Sequence, residues 1–190
     1  MLVRMRRLLP LILLAAACGG PAPPAAPVSE VSVPPNFAKV RDDLFRGGHP
    51  SSVHLAYLKG LGVRTIVDLE IPDLVEATEA DIAEEDRDAA IAGLAVVHAP
   101  MSAFEPAKSD RFDQQMNDVL TLLDDRAKGP FYVHCKHGQD RTGLVIGLER
   151  VVVERWASKD AYDEMLRVGF HPFFFGLKHY FERKTGYDAP

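Results

Sequence analysis

Phe131-Tyr132-Val133-His134-Cys135-Lys136-His137-Gly138-Gln139-Asp140-Arg141-Thr142-Gly143 is the segment that decides the fold of this chain. Its first three residues are aromatic or β-branched, which predicts a short strand. Gly138 marks a loop after that strand, and the pattern from Thr142 to about Arg155 predicts a helix. The loop therefore lies beyond the carboxyl end of a strand, where open α/β sheets bind their ligands.

The rest of the chain alternates strand patterns with helix patterns. Further strands are predicted within residues 40–46, 63–69 and 95–99, and a turn at 47–50. Further helices are predicted at 53–61, 74–92, 110–124, 158–168 and 174–184, with Asp73 as the cap of the second of these. Such alternation predicts an α/β fold with a mostly parallel central sheet flanked by helices.

Residues 1–17 have the pattern of a signal peptide. Arg4, Arg6 and Arg7 precede an apolar run that extends to Ala17 and is too short to span a bilayer. Removal of these three arginines takes the net charge from -5 to -8, because three positive charges are lost. An acidic chain has no basic footprint for nucleic acid, so an anionic substrate needs a local basic pocket.

The small residues before Cys18 resemble the lipobox of bacterial lipoproteins, although Ala15 stands where leucine is usual. The resemblance implies that Cys18 is acylated and anchors an exported chain to the membrane, on the periplasmic face or at the cell surface of a bacterium. Gly19 would favour the outer membrane where the host has one. An ordinary secretory signal cleaved near the same point is the alternative.

Residues 18–35 follow as a Pro/Ala-rich stretch, which predicts an extended tether, and the folded domain is expected at 36–190. The chain has two cysteines. If Cys18 carries lipid, Cys135 has no partner for a disulfide. A lone thiol in an exported protein is either buried and inert or reactive, and its neighbours decide which.

The loop that follows Cys135 has the residue types that phosphate chemistry needs. Five residues between Cys135 and Arg141 can curl around one phosphate, with the backbone N–H groups of Lys136, His137, Gly138, Gln139, Asp140, Arg141 and Thr142 as ligands. The helix that follows directs its positive end to the same point, which stabilises a thiolate nucleophile. Arg141 can clamp two phosphoryl oxygens. Thr142 can hydrogen-bond the sulfur, and His134 is expected to be a buried scaffold residue.

This pattern resembles the protein tyrosine phosphatase superfamily: His-Cys, five residues, Arg, and then Ser or Thr. Residues 44–50 and 58–69, with Asn36-Phe37, resemble the atypical dual-specificity phosphatases of plants, fungi and bacteria. The resemblance implies a phosphocysteine intermediate on Cys135, no cofactor and no catalytic metal. The expected substrate is a phosphorylated protein or a small phosphorylated molecule.

Two aspartates are candidates for the general acid that protonates the leaving oxygen. Asp110 follows the loop 100–109, as the acid does in many relatives, although an aspartate at a helix start is often only a cap. Asp140 precedes the loop arginine, as in the myotubularin lipid phosphatases and certain secreted bacterial phosphatases, although it could be a rim carboxylate. Glu105 and Asp113 are weaker candidates.

Lys136 and His137 add positive charge at the rim of the loop. Lysines at this place resemble those of phosphatases that act on phosphoinositides, so a phosphoinositide or inositol-phosphate phosphatase is the first alternative. A non-catalytic phosphate-binding module is the second. The aromatic run 173–175 is expected to pack in the core, and the acidic run 76–88 to form a solvated helix face. His49, His54, His171 and His179 do not show metal-ligand spacing.

Overall fold

The computed structural model describes residues 32–72, 77–104 and 108–190. Within them, the strands are β1 (Ala38–Arg41), β2 (Leu44–Gly48), β3 (Thr65–Asp68), β4 (Ala95–His98) and β5 (Phe131–Cys135). The helices are α1 (Ser52–Gly60), α2 (Glu79–Ala92), α3 (Asp110–Asp124), α4 (Asp140–Val152), α5 (Ser158–Arg167) and α6 (Phe175–Thr185). The predicted signal peptide, Cys18, Asp73 and Glu105 lie outside the described residues.

The strands form one sheet in the order β1-β2-β5-β3-β4. β5 pairs in parallel with both β2 and β3, β3 pairs in parallel with β4, and only β1 runs antiparallel to its neighbour β2. The mostly parallel α/β sheet predicted from the sequence is therefore confirmed. β5 is the central strand, so the loop after Cys135 has a neighbour on each side.

Helices pack on both faces of this sheet. Tyr132 belongs to an apolar cluster with α1 and α2, whereas Phe131 and Val133 belong to a larger cluster with α3, α4, α5 and α6. Successive strand residues point to opposite faces, so these two clusters are the two halves of the core. α4 is almost wholly buried up to Arg150, and the described residues include no helix that is long and apolar enough to cross a membrane.

Several boundaries differ from the sequence prediction. α2 begins at Glu79, five residues later than predicted, because Thr78 and Asp81 form a reciprocal capping box. Gly47 and Gly48 belong to β2 instead of a turn, since they continue the parallel pairing with β5. α4 begins at Asp140, two residues early, which places Arg141 in its first turn.

Candidate active site

The loop after β5 joins the central strand to the N-terminus of the buried helix α4. Cys135 ends β5, is 2% exposed and is a free thiol, while Arg141 and Thr142 are also buried. The strand-loop-helix arrangement predicted for this segment is present. A positive helix end and a ring of loop amides therefore lie close to one thiol.

Three successive backbone carbonyl groups of the loop accept hydrogen bonds from residues outside the loop. The Lys136 carbonyl accepts a hydrogen bond from the His49 N–H (3.1 Å), and the His137 carbonyl accepts one from Asn36 Nδ2 (2.8 Å). The Gly138 carbonyl accepts one from Arg46 Nη2 (2.6 Å).

In a trans peptide the N–H group points opposite to the preceding carbonyl group. The N–H groups of His137, Gly138 and Gln139 therefore point to the other side of the loop, and successive amides directed to one side are an arrangement that can bind an anion.

Gly138 has a backbone conformation that other residues avoid. Its φ is +72°, and a Cβ atom at this position would overlap the carbonyl group of Gly47 and approach the Gly48 nitrogen to 2.5 Å. Gly48 is limited by space alone, since its Cβ would lie 2.9 Å from the Lys136 carbonyl oxygen. The end of β2 and the loop are therefore in backbone-to-backbone contact.

Arg141 is anchored by two backbone carbonyl groups beside the loop. Its Nη1 donates to the Leu69 carbonyl (3.2 Å) and is 3.4 Å from the Met101 carbonyl oxygen. These contacts place the start of the loop 100–109 next to the arginine. Thr142 Oγ1 is buried and has no hydrogen-bond partner among the described residues, so its hydroxyl can serve a ligand or the Cys135 sulfur.

Arg46 is a residue of this site that sequence reasoning missed. It lies on β2, is 2% exposed and donates to the Gly138 carbonyl. Burial lowers the pKa of its guanidinium to about 10, which still leaves it charged at neutral pH. Arg46 is thus a second buried arginine at this site, and it hydrogen-bonds the loop on the side opposite to the amide N–H groups. The signal in the sequence was an arginine inside an otherwise apolar strand before two glycines.

Asp140 is engaged with the segment between α5 and α6. Its Oδ1 accepts a hydrogen bond from the backbone N–H of His171 (2.8 Å) and lies 3.0 Å from the His171 ring Nδ1. The position next to Arg141 is as predicted, and His171 is a partner that sequence reasoning missed.

Asp110 and Asp113 have different surroundings although both lie at the start of α3. Ser109 caps this helix by accepting the Phe112 N–H, so the exposed Asp110 is not needed as the cap. Lys184, with Arg183 and Tyr180, holds the pKa of the Asp113 carboxyl well below its usual range. Asp113 is therefore a stably ionised partner and a poor general acid.

His134 lies behind the loop in a buried group of carboxylates. It is fully buried, and its Nε2 is 2.9 Å from Glu85 Oε1. Burial alone would lower its pKa, but the charges of Glu85 and Glu70 outweigh this effect and raise the pKa to about 10. Burial likewise acts to raise the pKa of Glu70, yet the hydrogen bond with His49 and the nearby charge of His134, whose Nδ1 is 3.7 Å from Oε1, lower it to about 2.

Glu85 corrects one sequence expectation. It was assigned to a solvated acidic face but is 3% exposed. It shares a helix face with Ala89, four residues further along α2, and Ala89 is fully buried. That spacing was the signal that could have separated Glu85 from its exposed acidic neighbours.

The rim of the loop combines positive charge with exposed aromatic rings. Lys136 is partly buried and His137 is exposed. Phe173 and Phe175 are 63% and 65% exposed, so the expectation that the aromatic run packs in the core is wrong for these two. Their neighbour Phe174 packs edge-on against Phe104 of the loop 100–109. The two segments beside the phosphate loop are therefore in contact.

Comparison with known proteins agrees with this geometry. Residues 31–171 match the tyrosine phosphatase family. The dual specificity protein phosphatase TpbA of Pseudomonas aeruginosa (strain UCBPP-PA14) is 33% identical over 178 residues, which are 87% of this chain and 73% of TpbA. The inositol diphosphatase DSP4 of Arabidopsis thaliana is 29% identical over 139 residues, 73% of this chain and 66% of DSP4.

A crystal structure of P. aeruginosa TpbA in complex with pTyr superposes with a TM-score of 0.62 at 26% identity, covering 77% of this chain and 82% of that chain. The fold and the loop thus define a cysteine-dependent phosphatase. This chain belongs to the tyrosine phosphatase family, and it is a phosphomonoester hydrolase of the tyrosine/dual-specificity type.

Proposed function

We propose that Cys135 is the nucleophile of this phosphatase and that Arg141 and the loop amides bind the phosphoryl group. The main support for the proposal is that three successive loop carbonyl groups accept hydrogen bonds from residues outside the loop. The N–H group that follows each of these carbonyl groups therefore points towards the opposite side, where the phosphoryl group would bind. Such an arrangement of amides binds an oxyanion and stabilises a neighbouring thiolate.

The proposed reaction has two steps. The Cys135 thiolate forms a bond to phosphorus while the bond from phosphorus to the leaving oxygen breaks, and that oxygen takes a proton from a general acid. Water then attacks the phosphocysteine, which releases inorganic phosphate and restores the thiolate. Arg141 clamps two phosphoryl oxygens as they gain charge, and Thr142 donates to the departing sulfur. No cofactor takes part in these steps.

We propose Asp110 as the general acid. Asp140 Oδ1 already accepts the His171 backbone N–H and lies 3.0 Å from the His171 ring Nδ1, so this carboxyl group is engaged in holding a neighbouring segment. Asp110 is exposed, is free of the capping role, and follows the loop whose start contacts Arg141. Asp140 then ties the segment between α5 and α6 to the phosphate loop.

Phosphotyrosine in a protein is the proposed substrate. The dual-specificity name of TpbA and the pTyr in its crystal structure support this choice. Inositol phosphates are the second candidate, because Lys136 and His137 place basic side chains at the rim and DSP4 is named an inositol diphosphatase. A polyanionic substrate would gain from both basic side chains at the rim, whereas a phosphotyrosyl side chain needs neither.

A substrate panel tests this function. Peptides with phosphotyrosine, phosphoserine or phosphothreonine, phosphoinositides and inositol phosphates are assayed for phosphate release with the intact chain and with Cys135→Ser. We expect release from phosphotyrosine that is lost in Cys135→Ser while phosphate binding is retained, because Arg141 and the amides remain. Binding without turnover by the intact chain would instead indicate a non-catalytic phosphate-binding module.

We further propose that the phosphatase is exported and held at the membrane by a lipid on Cys18. The signal-peptide pattern at 1–17, the lipobox-like residues before Cys18 and the Pro/Ala-rich tether to residue 35 support this proposal. Metabolic labelling with a fatty acid should mark the full chain in the membrane fraction. Cys18→Ser should abolish the label while Cys135→Ser keeps it, and a label that persists in Cys18→Ser would contradict the lipobox.

A further inference from the structure

Two histidines and two carboxylates converge behind the phosphate loop, on the side away from the proposed substrate. His49 follows β2, Glu70 follows β3, His134 lies near the end of β5, and Glu85 comes from α2. None of them takes part in the proposed reaction. Glu70, Glu85 and His134 are all at least 97% buried.

The spacing of their atoms fits one cation. His49 Nδ1 is 3.0 Å from Glu70 Oε1 and 3.4 Å from Glu85 Oε2, and His134 Nδ1 is 3.7 Å from Glu70 Oε1. Zinc binds histidine nitrogen and carboxylate oxygen at about 2.0–2.2 Å in a tetrahedron, whose ligand atoms then lie about 3.3–3.6 Å apart. His49, Glu70 and His134 offer atoms that all lie within 4.8 Å of one another, and Glu85 Oε2 reaches the same group through its contact with His49 Nδ1.

Ligand atoms in this cluster lack hydrogen bonds. Glu70 Oε2, Glu85 Oε2 and His134 Nδ1 are buried and have no hydrogen-bond partner among the described residues. Buried polar atoms are normally satisfied, because an unmade hydrogen bond costs on the order of 1–3 kcal/mol. Three such atoms on side chains of one buried cluster indicate a bound partner. A cation is the partner that suits two carboxylates and an imidazole nitrogen.

An acidic cleft connects this cluster with the surface. The cleft has a volume of about 230 Å³ and is lined by His49 and Glu85 together with Asp81, Glu84 and Asp88. Its outer carboxylates attract cations, and its inner wall contains two of the four ligands. A metal ion therefore has a route to the buried atoms that does not pass the substrate side of the loop.

We propose that His49, Glu70, Glu85 and His134 form a binding site for a divalent transition metal of the zinc class. Two imidazole nitrogens with two carboxylates suit Zn²⁺ better than Mg²⁺, which prefers oxygen ligands in an octahedron. The resemblance to cysteine phosphatases implied a reaction without metal, and this site leaves that reaction unchanged because it lies behind the loop.

The proposed site would brace the phosphate loop. The His49 N–H already holds the Lys136 carbonyl, and the His134 carbonyl accepts the Leu69 N–H. One ion would tie the ends of β2, β3 and β5 to α2. Because it binds the folded chain only, it would raise the melting temperature in proportion to the logarithm of its concentration.

Zinc titration of the full chain tests the proposal. Cys18→Ser and Cys135→Ser are introduced together, so that neither thiol can bind the metal, and bound Zn²⁺ is measured by equilibrium dialysis and Tm by circular dichroism. We expect one Zn²⁺ per chain and a rise in Tm, with no comparable effect of Mg²⁺. His49→Gln, at a partly exposed position, should lower the zinc affinity by about 10–100-fold or more.

Control variants distinguish zinc binding at the four proposed ligands from weak zinc binding elsewhere on the surface. His179→Gln removes an exposed histidine on α6, and Glu84→Gln removes a cleft carboxylate that is not one of the four ligands. Both should bind zinc like the parent, whereas Glu85→Gln should lose affinity. The proposal is overturned if no zinc is retained, if His49→Gln binds as well as His179→Gln, or if Glu84→Gln loses as much as Glu85→Gln.

Discussion

Replacing Gly138 by alanine tests whether the phosphate loop needs a backbone that only glycine allows. At φ +72°, a Cβ atom would overlap the Gly47 carbonyl group and lie 2.5 Å from the Gly48 nitrogen. These are backbone atoms, so no change of side-chain rotamer can relieve the overlap. Either the loop or the end of β2 must move, and the hydrogen bond from Arg46 to the Gly138 carbonyl is then lost.

The cost follows from two contributions. An alanine in the left-handed region costs about 1–2 kcal/mol, and overpacking a tight contact adds about 1–3 kcal/mol. For a domain of this size each kcal/mol lowers Tm by about 2–4 °C, so we expect a decrease on the order of 5–15 °C. Displacing the loop amides by about 1 Å should lower kcat/KM on the order of 100-fold, because binding and catalysis depend on their geometry.

Alanine substitutions at two other glycines distinguish the cost of the backbone conformation from the cost of overpacking. Gly62 also has a positive φ, +88°, but a Cβ atom there meets nothing within 4 Å, so Gly62→Ala should show only the backbone cost and normal activity. Gly60 ends α1 with the same open surroundings, and Gly60→Ala should be neutral or slightly stabilising. Thermal unfolding and p-nitrophenyl phosphate kinetics measure all three. The reasoning fails if Gly138→Ala keeps full activity and unfolds no earlier than Gly62→Ala.

Three further predictions concern the charged residues of the site and its surroundings. Asp110→Asn should slow phosphoserine hydrolysis by about 10²–10⁴-fold but p-nitrophenyl phosphate hydrolysis much less, since a good leaving group needs no acid; if only Asp140→Asn shows this difference, the acid is Asp140. Arg141→Lys should lower kcat by about 10²-fold or more, because a point charge cannot replace the bidentate fork, and a near-normal kcat would contradict the clamp. Asp113→Asn should lower Tm at pH 7. The Tm difference from the parent should shrink below pH 3.8, because the carboxyl group of the unfolded chain takes up a proton there before that of the folded chain. A Tm difference that does not change with pH would contradict the lowered pKa.

The sequence predicted the fold where local periodicity and burial agree. Residues 110–124 form α3 with the predicted bounds, because Phe112, Met116, Val119 and Leu123 repeat on one stripe and all four are buried. The start of α2 was placed too early, since a run of acidic residues gives no periodic signal and the capping box at Thr78 was overlooked. Tertiary pairing with β5 made Gly47 and Gly48 a strand, which their composition could not show.

The candidate site was predictable where spacing within one segment defines it. Cys135, Gly138 and Arg141 belong to one short segment, so their spacing in the sequence is enough to predict that they lie close together. Arg46 lies on β2 and Glu85 on α2, both distant from the phosphate loop along the chain. Their local patterns could indicate burial but not which residues they contact. The same holds for His171, which meets Asp140 through the segment between α5 and α6.

The order of the sheet explains why so much of the site comes from outside the loop. β5 has β2 and β3 as its two neighbours, and Gly48 pairs with Cys135 while Asp68 pairs with His134. All three strands are parallel, so their carboxyl ends meet at the loop and their next residues must contact it. The Arg46 side chain on β2 and the His49 N–H directly after β2 hold two of the loop carbonyls, and the Leu69 carbonyl directly after β3 holds Arg141. Changes at the ends of β2 and β3 should therefore impair the site as strongly as changes within the loop itself.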